Sequence, residues 1–164
     1  MSGVPGWNEA CEDRCAPGFF CLKAAASDEL GICHRLCDAD IDCGAGGICA
    51  LPIPLATGEL EACAFVCDLT DADACPHPNT SCTAAQDEAG RWYTFCAPSG
   101  AAQAGESCGP SMLCASGLSC VDVDGSPQCV AWCHTAAGDC ADGESCIPSD
   151  TPILVGDIEF GFCL

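Results

Sequence analysis

The sequence predicts a small disulfide-rich fold: an elongated tandem array of five four-cysteine modules made of short β-hairpins, with little or no helix. Three observations predict it. Of the 164 residues, 20 are cysteine, above the usage at which a short chain reads as a disulfide scaffold. The cysteines divide without remainder into five groups of four. Inside each group a turn residue recurs at the same place, which marks a repeated supersecondary unit rather than one irregular domain.

Taken in order, residues 1–10 carry Gly3, Pro5, Gly6 and Trp7 and read as an extended amino-terminal arm. Three modules follow: Cys11, Cys15, Cys21 and Cys33 (11–33); Cys37, Cys43, Cys49 and Cys63 (37–63); Cys67, Cys75, Cys82 and Cys96 (67–96). The stretch 97–107 is almost all Ala, Gly, Ser and Gln, a composition that predicts a flexible linker. Beyond it, within 108–164, lie Cys108, Cys114, Cys120 and Cys129 (108–129), then Cys133, Cys140, Cys146 and Cys163 (133–163).

Between the second and third cysteine the pattern C-x-x-G-x-x-C places Gly18, Gly46, Gly117 and Gly143. The third module is one residue longer there and has Asn79, the residue that best replaces glycine in a left-handed conformation. Between the third and fourth cysteine a strand, a turn and a second strand are expected. The turns are Thr57-Gly58-Glu59, Glu88-Ala89-Gly90, Val123-Asp124-Gly125-Ser126 and Val155-Gly156-Asp157. Consecutive modules are separated by three residues at Cys33 to Cys37, Cys63 to Cys67 and Cys129 to Cys133, too few for a free tether. With Phe65 and Trp132 filling contacts between modules, the expectation is two rigid rods, modules one to three (11–96) and four to five (108–164), joined at 97–107.

Composition sets the compartment and excludes several partners. Of the side chains counted as hydrophobic, 25 are Ala and 20 are Cys, which leaves too few large apolar groups to give five small units a core each. Units of that size need cross-links. An even cysteine count points to an oxidising compartment, so the chain is expected to be secreted or on a cell surface, beginning after a removed leader. The net charge of -20, with only Arg14, Lys23, Arg35 and Arg91 against 24 acids, excludes nucleic acid as a partner. No apolar stretch is long enough for membrane insertion.

The four-cysteine unit resembles the amino-terminal half of an EGF-like module, in which a short Gly-containing segment joins the second and third cysteines and a hairpin joins the third and fourth. It is also similar to the tandem cysteine-rich repeats of secreted proteins from myxobacteria. The run from Cys37 to Cys49 is similar to the Dickkopf amino-terminal cysteine-rich region as well. Spacing alone leaves three connectivities per module. The EGF resemblance implies first-to-third and second-to-fourth pairing: Cys11–Cys21, Cys15–Cys33, Cys37–Cys49, Cys43–Cys63, Cys67–Cys82, Cys75–Cys96, Cys108–Cys120, Cys114–Cys129, Cys133–Cys146 and Cys140–Cys163.

Few residues suggest chemistry. There is no C-x-x-C knuckle of the zinc-site type. Asp38, Asp40 and Asp42 alternate like the start of a calcium loop, but Cys43 and Cys49 stand where the Gly and closing Glu belong. Calcium is therefore the one cofactor considered, against the simpler use of Asp in turns. His34, His77 and His134 share no module position, and no residue set suggests catalysis; the expectation is that the protein is not an enzyme and has no cofactor.

Two apolar hairpins stand out instead. Leu51, Ile53 and Leu55 alternate with prolines, and Ile153, Leu154, Val155, Ile158, Phe160 and Phe162 form the most apolar hairpin. They read as candidates for an interface or for packing between modules. The expected function is a non-enzymatic extracellular structural or adhesive repeat protein that self-assembles through these hairpins, its partner being itself or another protein. Two other classes are a calcium-dependent recognition module and an inhibitor-like ligand presenting Pro76–Ser81 or Pro52–Leu60.

Overall fold

The computed structural model describes residues 9–23, 31–44, 47–55, 58–64, 66–76 and 78–164. Trp7, Gly46, Thr57, Phe65 and His77 lie outside the described residues. Among the described residues the regular structure is almost all β-strand, with one short 3-10 turn at Asp40–Cys43, and the chain divides into two compact units, Met1–Val66 and Cys67–Leu164.

In the first unit, β1 (Ala10–Cys11), β2 (Phe19–Leu22), β3 (Gly31–Cys37), β4 (Cys49–Leu55) and β5 (Gly58–Cys63) form one antiparallel sheet. β3 organises it. Its first part pairs with β1 and β2, and its end pairs with β5 through Leu36 opposite Ala62 and Cys37 opposite Glu61. Because β3 contains both Cys33 and Cys37, the three-residue spacer between the first two modules is itself strand. β4 lies at the sheet edge, where Pro52 and Pro54 cost no ladder bonds to a further strand.

The second unit has two sheets. β6 (Thr80–Gln86) and β7 (Trp92–Pro98) form a hairpin in the third module. β8 (Leu118–Val123), β9 (Ser126–His134), β10 (Cys146–Val155) and β11 (Ile158–Cys163) form a sheet of order β10-β11-β9-β8. Here β9 contains Cys129 and Cys133, pairing with β8 of the fourth module and β11 of the fifth. The β8–β9 turn needs positive φ at both central residues, supplied by Asp124 (53°) and Gly125 (84°). Asn79 also sits at positive φ, 64°, as do Gly18, Gly117 and Gly143 at the repeat's turn position.

The 97–107 stretch is not the flexible boundary that its composition predicts. Its backbone is tied to the fourth module: the Gly100 and Ala102 amides donate to the Cys114 and Leu113 carbonyls at 2.7 and 3.2 Å. Gly105 donates to Cys129 at 2.8 Å, and Cys129 returns a bond to Glu106 at 2.9 Å. Small residues serve close approach here rather than freedom, since a Cβ on Gly100 would lie 2.2 Å from the Leu113 carbonyl oxygen. The division between the compact units falls at Val66/Cys67 instead.

All 20 cysteines are joined in ten disulfides, first to third and second to fourth in each of the five groups. Sulfur also supplies much of the interior. Among the described buried apolar residues 11 of 24 are cysteines, and the clusters Cys43–Cys49–Cys63 and Ala102–Cys114–Cys129 hold no side chain larger than Cys at their centres. Larger buried groups include Leu51 and Ile53 in the first unit and Trp132, Phe160 and Ile153 in the second.

One buried group makes the first unit sensitive to acid. His34 on β3 is 2% exposed, its ring hydrogen-bonds the Cys63 backbone, and its Nδ1 has no partner. Burial lowers its pKa below the ordinary 6.5, with the Cys63 bond opposing. The folded chain therefore binds this proton less readily than the unfolded chain. Its contribution to stability is complete above pH 6.5 and is lost as pH falls below that toward the depressed folded value. Amide exchange in β3 and β5 followed against pH should show protection weakening on acidification well above the carboxylate range, with His34→Gln flattening the dependence. Protection that increases as pH falls would contradict this.

Candidate interaction surface

The last hairpin is the most apolar, but half of its large side chains face inward. Register places Ile153 opposite Phe160 and Phe162 opposite Trp132, so these groups share the face on which Trp132 lies. Trp132 packs edge-on to Phe160 at 6.5 Å and against Phe162 at 4.6 Å. Ile153 and Phe160 are buried at 4% and 3% exposure, so as interface candidates they are corrected to core. Leu51 and Ile53 receive the same correction, being buried at 5% and 1%. The physical reason is common to both hairpins: alternation directs one face of a strand at the sheet's covered side. The side chain of Leu55 lies outside the described residues.

What remains exposed is the hairpin tip. Leu154 and Ile158 are 49% and 48% accessible, and register sets Leu154 opposite Glu159 and Val155, half-buried, opposite Ile158. Ile147, near the other end of β10, and Leu164 are also exposed. Sequence reasoning passed over Ile147 because it stands next to Pro148, outside the continuous apolar run. β10 is the edge strand of its sheet, yet its register breaks between Pro148 and Ile153, where Asp150 and Pro152 also lie. Prolines, a charge and a bulge blunt that edge. Docking at the tip would therefore rest on side chains more than on strand addition.

A concavity of about 220 Å³ lies within the second unit, between the β6–β7 hairpin and the 109–120 segment. It is lined by Ser81, Thr83, Pro98, Met112, Leu113 and Leu118, among others. Beside it the Ser116 hydroxyl donates to the Thr80 carbonyl at 3.1 Å and the Gly117 amide to the Ser81 hydroxyl at 3.0 Å, tying the two segments together. Met112 and Leu113 are exposed at its rim. Of the two loops suggested for an inhibitor-like ligand, Pro76–Ser81 runs into this wall, and Ser81 is buried.

The aspartates of the second module are occupied with backbone. Asp42 accepts the Asp38 and Ala39 amides at 3.0 and 3.1 Å, and Asp40 accepts Cys49 N–H at 2.9 Å. Among the described residues the groups of three or more ligand atoms within 4.8 Å of one another are cysteine sulfurs, and those are paired in disulfides. Asp38, Asp40 and Asp42 do not form such a group.

Charge is uneven along the chain. Of its 24 acids, 14 lie in 67–164, where Arg91 is the sole Lys or Arg. Arg91 is engaged locally: its backbone N–H and Nε donate to Asp87 at 2.8 and 2.6 Å, and these bonds hold that carboxyl below the usual range. Asp139 is likewise held low; its partial burial opposes ionisation, but the His134 ring and backbone N–H outweigh it.

No protein-family model, curated protein or solved structure matches the chain.

Proposed function

We propose that the chain is a non-catalytic structural and binding element of an oxidising, extracellular setting, and that it self-associates through the tip of its last hairpin. The observation that carries the proposal is the pair Leu154 and Ile158, each about half exposed at the tip of the last hairpin, Leu154 on one face and Ile158 at the uncovered end of the face that Trp132, Phe160 and Ile153 fill. Exposed large apolar side chains side by side at a hairpin tip favour association with a like surface. The net charge of -20 opposes that association, so added salt should strengthen it by screening.

Sedimentation velocity over a concentration series tests the proposal. The oxidised wild type should associate, more strongly at higher ionic strength. Leu154→Asp with Ile158→Asp should leave a monomer with an unchanged fold, because both side chains are at the surface. Phe160→Asp would not serve, since it places a charge in the core. A wild type that stays monomeric at high concentration, or a double variant that associates equally, would sink self-association.

A second reading, capture of a separate cationic protein, is favoured by the 14 acids against one Arg in 67–164. Binding that weakens steeply with salt, the reverse of the trend above, distinguishes it.

A further inference from the structure

Another site lies away from the hairpin tip. His134 ends β9, and Asp139 holds it twice, accepting the backbone N–H at 2.8 Å and facing Nδ1 at 2.7 Å. The ring also packs on Phe160 with centroids 5.1 Å apart. A carboxylate on Nδ1 takes the N–H of a neutral imidazole and leaves the Nε2 lone pair pointing away from it. What Nε2 faces is Asp68 Oδ1, at 3.6 Å. Asp68 is fixed in turn, its Oδ1 accepting the Thr70 amide at 2.9 Å and the Thr70 hydroxyl at 2.8 Å.

A separation of 3.6 Å is beyond good hydrogen-bond range. It is near that of two ligands on one tetrahedral ion, since bonds of about 2.0–2.1 Å to nitrogen and oxygen set the two atoms roughly 3.4 Å apart. We infer that His134 Nε2 and Asp68 bind a divalent metal ion of the zinc class, with Asp139 orienting the imidazole, the ion replacing the Thr70 hydroxyl as a partner of Asp68 Oδ1 while the Thr70 amide keeps the carboxylate in place, and water completing the coordination. An imidazole in the set favours zinc and the later first-row metals over calcium, whose ligands are oxygens. The side chains are 24% and 49% exposed, which leaves a path for entry. Asp68 and His134 each directly follow the first cysteine of a module, the third and the fifth, so the ion would cross-link two modules of the second unit that share no disulfide.

Oxidised protein stripped with chelator and titrated with Zn²⁺ at neutral pH tests the site, by calorimetry and by the ¹⁵N shift of the His134 ring. The expected result is one saturable site per chain, a Zn²⁺-induced shift at Nε2 rather than Nδ1, and no competition from Ca²⁺. Saturable binding should be lost in His134→Gln and Asp68→Asn. It should weaken about 10- to 100-fold in Asp139→Asn, the cost of removing an orienting carboxylate. Asp122→Asn, in a turn of the fourth module, should bind as wild type. The ring shift in unmutated protein keeps the test valid if a variant folds poorly. Binding unchanged in both ligand variants, hence an adventitious ion only, overturns the inference. So does no binding at all, which would leave His134 as an ion-pair partner of the two carboxylates.

Discussion

Full reduction is expected to unfold the chain completely, with loss of the strand signal in circular dichroism and of dispersed amide resonances. The interior explains why. Among the described residues cysteines are 11 of the 24 buried apolar ones, and two packed clusters consist of little else. Reduction therefore removes cross-links and the centre of the packing together. Each bridge closes a loop of 10 to 23 residues, and a cross-link over about 15 residues contributes about 3 kcal/mol by restricting the unfolded chain. Contributions from ten bridges do not add, but domains are only about 5–15 kcal/mol stable in total. Retention of native dichroism in strong reductant would contradict the account, because it would show that the buried apolar groups other than cysteine hold the fold without the cross-links.

The second large effect is expected at Trp132. It is 7% exposed, packs at a tilt against Phe162 and meets Phe160 edge-on, and so forms the centre of the packing around the last hairpin. Truncation of such a residue costs about 3–5 kcal/mol. Trp132→Ala should accordingly loosen β10 and β11 while β6–β7 keeps its protection. Trp132→Phe should cost much less than simple area would suggest. The indole Nε1 is buried without a hydrogen-bond partner, and removing an orphan donor returns part of its desolvation penalty, about 1–3 kcal/mol. Hydrogen exchange resolved by residue checks both variants. Equal losses for Ala and Phe would show that the ring's polar edge, not its volume, sets the cost.

How much of this was legible depends on whether the cause is local. The β8–β9 turn is local: Asp124-Gly125 between alternating strands allows little besides a two-residue turn, and both residues adopt positive φ. The five groups of four also follow from count and spacing. By contrast, the spacers 33–37, 63–67 and 129–133 are indistinguishable in length, yet strand runs through only the first and third, as β3 and β9. Ala64 and Val66, in the second, lie outside the strands, and there the compact units divide. The difference comes from partners distant in sequence: β2 and β5 for β3, β8 and β11 for β9.

The same cause explains the errors of composition. Ala and Gly over 97–107 look like a free linker, but Gly100 is small because the Leu113 carbonyl passes close by. Alternation in the last hairpin shows that Ile153 and Phe160 share a face, without showing that Trp132 covers it. Nothing local joins Asp68 to His134. Their approach at 3.6 Å depends on how the third and fifth modules pack within the second unit, which is why the histidines looked uninformative in the sequence.

Five separate disulfide frames hold the fold and leave large apolar groups available for its surface. Non-reducing peptide mapping by mass spectrometry tests it most directly. The account predicts ten links confined to their modules, with Cys37 joined to Cys49, Cys43 to Cys63, and the same first-to-third, second-to-fourth pattern in the other four. A link between modules, or a first-to-second pairing such as Cys37 with Cys43, would contradict it.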